Sequence, residues 1–585
     1  MLPESRSIRS TWIKDVLLLT LFVGIWLCAF LGFRPLANPD EGRYAEIPRE
    51  MAASGDFVTP RLNGVKYFEK PPLLYWLSAL TFKVFGVNQF TARIWNGLFA
   101  MLGVLMTYVA ARVLYGRSAG VWSAIVLSTS LLYYGLTHIV LLDMAVAVEM
   151  AGALFSFMLA MREPAGRKRF GYFVSFYLFM ALATLTKGLI GFMLPGAVAF
   201  LWLLVMNRWR SLWPFYPIVG IVLFLGITAP WHILAAVANP SADGSVWPGY
   251  ARGLELHKLN QNTGWTWFYF VNEHFLRFTT KEHGRYEPAW FFLPVLVGGF
   301  FPWTLFGWQA VKTALHGGWK ARREHAEAWF MVIWIAFIVL FFSKSQSKLI
   351  PYILPVFPAM AVLVGNHLVE AFQTGGLKRG RAAAWSFIGL LILFAAAVIF
   401  MKAPKGQPDF AAQLPVLKPL LVGVLLLGAG VTAFALRREQ ASRVIACIAG
   451  STILLLLTLT YAAQELDHSS SKDFATILEP RIKPEDRLYT LGIYPQDLPV
   501  YLNRTVSVVE YEGEMQFGIE VEPSVSSGRF LKRDDFFKQW ALPGTTYALM
   551  RTWYYDKWFS GTAGPHQVIG KSEKFILVVK SNSNS

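Results

Sequence analysis

Long apolar runs separated by short polar breaks dominate this chain. Runs of roughly 18–25 apolar residues, the length an α-helix needs to cross about 30 Å of hydrocarbon, lie near 12–33, 89–114, 117–136, 139–162, 171–186, 188–206, 211–235, 288–315, 326–343, 351–370, 382–401, 416–436 and 442–464. They predict a polytopic α-helical membrane protein with about thirteen transmembrane helices, a count set to within one or two. Three segments are too long for simple turns. The first, 34–88, predicts two surface helices. One starts at Asn38, with Pro39 at the first helical position and Glu41 completing a capping box, and ends near Gly55. The other runs from Pro72 to Phe85, with Leu73, Trp76, Leu77, Leu80 and Val84 at helical spacing. It is too short to span and suits the interface plane.

The second long segment, 236–287, opens with a loop rich in Gly, Asn and Pro, from Asn239 to Gly264, and continues as a helix from Trp267 to Thr279. In the third, 465–585, long apolar runs give way to short strands at Arg487–Tyr494, Thr505–Tyr511, Thr546–Thr552 and Phe575–Lys580. The tail therefore predicts a small soluble α/β domain after a membrane domain of residues 1–464.

Composition agrees: of 585 residues, 55% are hydrophobic and only 16% charged, and the mean hydropathy is +0.42. A net charge of +17 raises the question of nucleic acid. The basic residues, however, sit in short clusters between apolar runs, the signature of positive-inside topology. With the N-terminus inside, the loops holding Arg112 and Arg117, Arg162 to Arg169, Arg208 and Arg210, Lys320 to Arg323, Lys378 to Arg381, and Arg437 to Arg443 all fall on the cytoplasmic side. An odd number of spans then places the C-terminus outside. The first run is too long for a signal peptide and lacks a small-x-small cleavage site, so it reads as a retained span. Cys28 and Cys447 both lie in apolar runs and suggest neither a disulfide nor a metal pair.

Chemistry concentrates where the chain leaves the first span, at Asn38-Pro39-Asp40-Glu41-Gly42-Arg43-Tyr44 and Tyr67-Phe68-Glu69-Lys70-Pro71-Pro72. Paired carboxylates at a membrane surface fit chemistry on a lipid-borne substrate, and the bases beside them fit a phosphate. Asp40 and Glu41 have a plainer alternative as acids favoured by a helix N-terminus, and Glu69 and Lys70 as a solvated pair. Arg43, Lys66, Lys70, Lys187, Lys344 and Lys348 form an excess of outer bases that opposes the positive-inside gradient. Asp143 lies in an apolar run, where a carboxylate costs about 2.5–3.5 kcal/mol, so a cavity-facing role is the default. Glu149 is six residues on, roughly 120° around the helix. Glu273 and Arg277 are spaced as an ordinary helical ion pair, and His274 and His283 are a weak metal signal.

These motifs, together with Leu142-Asp143, Thr186-Lys187-Gly188, Glu273-His274-Phe275-Leu276-Arg277-Phe278 and Lys348-Leu349-Ile350-Pro351-Tyr352-Ile353-Leu354-Pro355, resemble the bacterial aminoarabinose transferases of lipid A. More broadly they resemble the lipid-phosphate-sugar-dependent glycosyltransferases of the GT-C class, which include protein O-mannosyltransferases. The resemblance covers the chain to about residue 370; the Asn239–Gly264 loop looks longer than in the family, and the final domain carries no motif that can be matched. It implies a GT-C-like fold and a bacterial inner-membrane enzyme with its site at the periplasmic face. The implied reaction moves a sugar, 4-amino-4-deoxy-L-arabinose foremost, from undecaprenyl phosphate to a lipid A phosphate. It further implies Asp40 as the catalytic carboxylate, with Lys70, Arg43 and Arg277 around the lipid phosphate and Glu69, Asp143 and Tyr352 near the cavity. Glu41 and Asp143 are further catalytic candidates, and Lys187 and Lys348 further substrate-binding ones.

The polyprenyl-phosphate sugar is a co-substrate, so no cofactor is required, and the question of a divalent metal stays open. The expected partners are membrane lipids, the donor and the acceptor, and no nucleic acid. A related transferase acting on protein or another glycan is an alternative. From another class, a lipid or anion transporter would use Asp143 and Glu149 for ion coupling.

Overall fold

The computed structural model describes residues 4–241, 244–246, 264–279, 286–374, 380–403, 408–467 and 469–580. Most of the Asn239–Gly264 loop, His283, Lys378 and Arg379 lie outside these residues. The chain divides into two compact units, the first made of residues 1–31, 93–230 and 274–466, the second of 32–92, 231–273 and 467–585.

The first unit is a helical membrane bundle. Among the described residues ten helices are long and apolar enough to cross a membrane, and the pair Arg117–Ser128 and Leu131–Thr137, bent by 63°, makes up to eleven. Two of the thirteen predicted spans take another form. Residues 188–206 give the helix Ile190–Met206 of 17 residues, and 288–315 gives two short helices, Phe292–Gly299 and Thr304–Ala314.

Leu142–Arg162 is the axis of the bundle. Its sequence is apolar on every side, and all but Asp143 and its terminal Arg162 are buried, as expected of a helix surrounded by others. Small residues let Arg167–Lys187 lie close along it, since a Cβ on Gly152 would meet the Phe179 ring at 2.8 Å.

The second unit is built on a six-stranded mixed sheet. A two-residue hairpin, β1 (Arg61–Leu62) and β2 (Val65–Lys66), comes first in the chain. The sheet comprises β3 (Arg487–Leu491), β4 (Ser507–Val509), β5 (Phe530–Leu531), β6 (Thr546–Arg551), β7 (Gln567–Lys571) and β8 (Phe575–Lys580), in the order β5-β4-β3-β6-β8-β7. β3 is paired in parallel on both sides, and β8 runs antiparallel to β6 and β7. Because side chains alternate along a strand, the sheet supports two cores. Tyr489, Ala548, Met550 and Ile576 pack with Phe536, Trp540 and Phe559. Leu488, Val508, Leu549 and Leu577 belong to a core shared with Ile47, Met51, Tyr67, Tyr75 and Ala79. The two surface helices expected in 34–88, found at Asp40–Ser54 and Leu73–Phe85, thus rest on the second face of the C-terminal sheet.

The inner face of Asp40–Ser54 carries a buried charge cluster. Arg49 grips Glu46 with two hydrogen bonds, Nε to Oε2 at 2.6 Å and Nη2 to Oε1 at 2.5 Å. Glu50 accepts the Gly64 N–H at 2.9 Å. The Arg49 charge also acts on Glu50, as does that of Arg529. Burial, the largest influence, raises the Glu46 carboxyl to about 8 against the pull of Arg49, and Glu50 adds to the rise. A carboxyl raised on folding takes up a proton, so its contribution to stability is complete below the unfolded value and is lost as pH rises through about 8. We expect the melting temperature of the purified protein to fall between about pH 5 and pH 9, with a shallower slope in Glu46→Gln, whose amide cannot titrate. Differential scanning fluorimetry across that range checks it, and an unchanged slope in the variant would refute the assignment.

Candidate active site

In the second unit, the turn entering Asp40–Ser54 departs from the predicted capping box. Pro39 is the N-cap and makes no side-chain cap bond. Asn38 donates instead to Asp497 and to the Ser469 carbonyl at 3.1 Å. Glu41, fully buried, accepts the Ala37 N–H at 2.9 Å and an Arg34 N–H at 2.6 Å. A partner distant in sequence outcompetes the local cap for Asn38, and Glu41 closes the turn one residue earlier than the motif predicts. Asp40 has its side chain 53% exposed and pairs with Arg43. The Arg43 guanidinium, almost fully buried, also pairs with Glu514 and lies 5.2 Å from the Tyr44 ring centre. Burial keeps the neighbouring Tyr67 and Tyr75 phenols well above their ordinary range, so they are neutral.

Lys70 is the second basic centre of this unit. Its ammonium donates to Glu273 at 2.9 Å and to the Glu69 carbonyl at 2.7 Å, with the Glu69 carboxylate at 3.9 Å. Glu273 sits in Phe268–Leu276, a nine-residue π-helix inside the predicted Trp267–Thr279 helix, a form that recurs at functional sites. Phe517, from the C-terminal part of the chain, stacks on Phe268 at 4.2 Å and meets Phe68 edge-on at 6.1 Å.

In the first unit Asp143 lies in the first turn of Leu142–Arg162, and Lys187 in the last turn of Arg167–Lys187. The two form an ion pair, each charge at the helix end whose dipole favours it. The Lys187 ammonium stands 4.6 Å from the Tyr352 ring centre. Lys348, buried, donates to the carbonyls of Glu287 at 2.7 Å and Ser345 at 2.6 Å. Arg277 opens the α-helical turn Arg277–Thr279 that follows the π-helix. The Leu189 N–H donates to His274 Nε2 at 3.1 Å. Glu149 is buried in the body of its helix, away from the Asp143 end.

The structure therefore brings Asp40 to Arg43, Lys70 to Glu69, and Asp143, Lys187 and Tyr352 to one another. Glu514 and the pairing of Glu273 with Lys70 were not legible from the chain, because neither lies within a recognisable spacing of its partner. No group of three or more His, Cys, Asp or Glu suited to a metal ion occurs among the described residues.

A helical membrane bundle and a sheet-based second unit that pairs carboxylates with bases occur here in a chain whose relatives are membrane glycosyltransferases of the GT-C type. Residues 16–243 match the dolichyl-phosphate-mannose-protein mannosyltransferase family, and residues 474–580 match the aminoarabinose transferase C-terminal domain, where sequence reading found no motif. The chain is 30% identical to the crystal structure of ArnT from Cupriavidus metallidurans bound to undecaprenyl phosphate, with a TM-score of 0.81 over 98% of this chain and 99% of that one. It is 28% identical over 529 residues to the undecaprenyl phosphate-α-4-amino-4-deoxy-L-arabinose arabinosyl transferase of Erwinia tasmaniensis, covering 89% of this chain and 90% of the relative. To the enzyme of the same name from Aeromonas salmonicida it is 30% identical, covering 70% of this chain and 71% of the relative. The chain belongs to the undecaprenyl phosphate-aminoarabinose arabinosyl transferase family.

The Asp143–Lys187 pair makes a thermodynamic prediction. Both side chains are at most 13% exposed, so removing one partner strips a desolvated charge of its counter-charge. We expect Asp143→Asn and Lys187→Met each to lower stability, and the double variant to lose less than the sum by about 1 kcal/mol or more. Additive losses in the melting of the four proteins would show that the pair carries no coupling.

Proposed function

We propose that the enzyme transfers 4-amino-4-deoxy-L-arabinose from undecaprenyl phosphate to a phosphate of lipid A, at the periplasmic face of the bacterial inner membrane. The observation that carries this reading is the match over nearly the whole chain to an arabinosyl transferase structure that holds undecaprenyl phosphate. In the reaction the bond between the anomeric carbon and the donor phosphate oxygen breaks, and a new bond forms to an oxygen of the acceptor phosphate. The leaving group is a phosphate monoester, so cations that gain from its growing charge lower the barrier. Lys70 and Arg43 take that role, and each exchanges a carboxylate partner for the phosphate on binding; Glu69 keeps Lys70 in place. An anionic acceptor oxygen needs no deprotonation. Asp40 then orients the sugar or stabilises positive charge on its ring, and with a hydroxyl acceptor it would serve as general base. Glu41 and Asp143 are the further candidates for a catalytic carboxylate, and Lys187, Arg277, Lys348 and Tyr352 those for substrate binding.

The topology belongs to the same proposal. A 17-residue helix rises about 26 Å, close to the hydrocarbon thickness, so Ile190–Met206 can cross. With it, the broken pair Phe292–Gly299 and Thr304–Ala314, and the bent pair counted as one span each, the total is thirteen. An odd number leaves the C-terminal domain on the periplasmic side. A periplasm-dependent reporter fused after Ser585 should be active; activity of a cytoplasm-only reporter would overturn both the count and the placement.

Asp40→Asn tests the chemistry. The residue is half exposed at a helix start, so its loss there costs on the order of 1 kcal/mol or less in stability. Turnover with saturating donor should fall by about two orders of magnitude or more. Mass spectrometry of lipid A from cells carrying wild type or variant reads the same loss as a missing pentosamine. Near-normal turnover would return Asp40 to a structural acid.

A further inference from the structure

The turn that delivers Asp40 is held by the C-terminal domain through one carboxylate. Asp497 is fully buried. Its Oδ1 accepts from the Asn38 side-chain amide and from Ser471 Oγ at 2.7 Å; its Oδ2 accepts from Ser470 Oγ at 2.6 Å and the Ser471 N–H at 2.7 Å. The bond to Asn38 is reciprocal, because the Asp497 N–H donates to Asn38 Oδ1 at 3.1 Å. With its second amide hydrogen on the Ser469 carbonyl, Asn38 has both ends of its side chain fixed. Two residues later Asp40 begins the helix, and at Gly42 the helix meets the same segment: a Cβ there would lie 2.6 Å from the Gln496 carbonyl carbon. Tyr501 Oη accepts the Leu36 N–H at 2.8 Å on the other side of the turn. Burial pushes the Asp497 carboxyl up while its four donors pull it down.

We propose that Asp497 is a positioning residue for sugar transfer, setting the Asn38-Pro39-Asp40 turn so that the C-terminal domain takes part in the reaction through this carboxylate. The inference rests on the reading of Asp40 as the group that acts on the sugar. Asp497 never touches substrate. It fixes the backbone two residues before Asp40, and displacement of a reacting group by about 1 Å can cost on the order of a hundredfold in rate. A carboxylate that merely fastened Ser470 and Ser471 would be equally served by any arrangement of Asn38.

The test separates these roles. In purified full-length enzyme with undecaprenyl phosphate-4-amino-4-deoxy-L-arabinose and lipid A, Asn38→Ala and Asp497→Asn should lower kcat about tenfold or more, with KM for the donor within about twofold. Ser470→Ala, which removes a bond to the carboxylate oxygen that Asn38 does not use, should keep kcat within about twofold while its melting temperature falls as much as that of Asn38→Ala. Asn38→Ala placed in Asp40→Asn should cost nothing further, since its effect acts through Asp40. Full kcat in Asn38→Ala, an equal kcat loss in Ser470→Ala, or additive losses in the double variant overturns the inference while the deep loss in Asp40→Asn stands. Normal turnover in Asp40→Asn overturns the reading of the site, and this inference with it.

Discussion

A charge taken from water must be answered by an opposite charge or by a full set of hydrogen bonds, and this requirement organises both units of the chain. In the second unit Glu273 answers Lys70, and Asp497 collects four donors. In the first, Asp15 gathers Tyr108, Arg112 and Arg117, and Asp143 meets Lys187. Stranding one such charge costs several kcal/mol, a large fraction of the roughly 5–15 kcal/mol that holds an ordinary domain together. The polar groups of this protein are therefore fixed in place by energetic necessity, before any substrate arrives.

That fixity has a chemical consequence. A basic group already held by a carboxylate has lost its rotational freedom, so exchanging the carboxylate for a phosphate demands little further ordering. Arg43 illustrates the point, its guanidinium spread between Asp40 and Glu514. Of the two acids that open its helix, Glu41 is fully buried as a fastening for the turn, while Asp40 reaches solvent. Neighbouring acids in one motif thus have opposite surroundings, and the exposed one is the one able to meet a substrate.

How much of this was legible in the chain follows from the range of each interaction. The apolar runs anticipated the ten long apolar helices found among the described residues, because burial in hydrocarbon depends on local composition. Local breaks were harder to see. The 63° bend between Arg117–Ser128 and Leu131–Thr137 falls where Thr129 and Ser130 hydroxyls bond back to the Ile125 and Val126 carbonyls at 2.6 and 2.7 Å. The 288–315 run splits at Gly298-Gly299 and Pro302, residues that end helices. The site motifs were legible as clusters, and Asp143 with Lys187 as members of one family pattern. What the chain hid was partnership across hundreds of residues: Asn38 with Asp497, Arg43 with Glu514, Lys70 with Glu273. No spacing rule reaches that far, so a strong local signature such as the capping box gave way to an amide pair that only the folded chain contains.

The two helices that carry or flank the motifs show why the C-terminal sheet belongs to their architecture. At 15 and 13 residues, Asp40–Ser54 and Leu73–Phe85 are too short to be stable alone in water. Their stability comes from the face each buries, and that face lies in the core that contains Leu488, Val508, Leu549 and Leu577 of the sheet. Leu73–Phe85 is apolar on its other side as well: Leu74, Tyr75, Ala79 and Phe82 are buried while Leu80, Val84 and Phe85 stand exposed. A helix with one apolar face on protein and another facing outward is suited to a surrounding less polar than water, as at a bilayer interface. Packing in this one core fixes both helices, so the chain between them, with Lys70 at its end, is anchored from both directions.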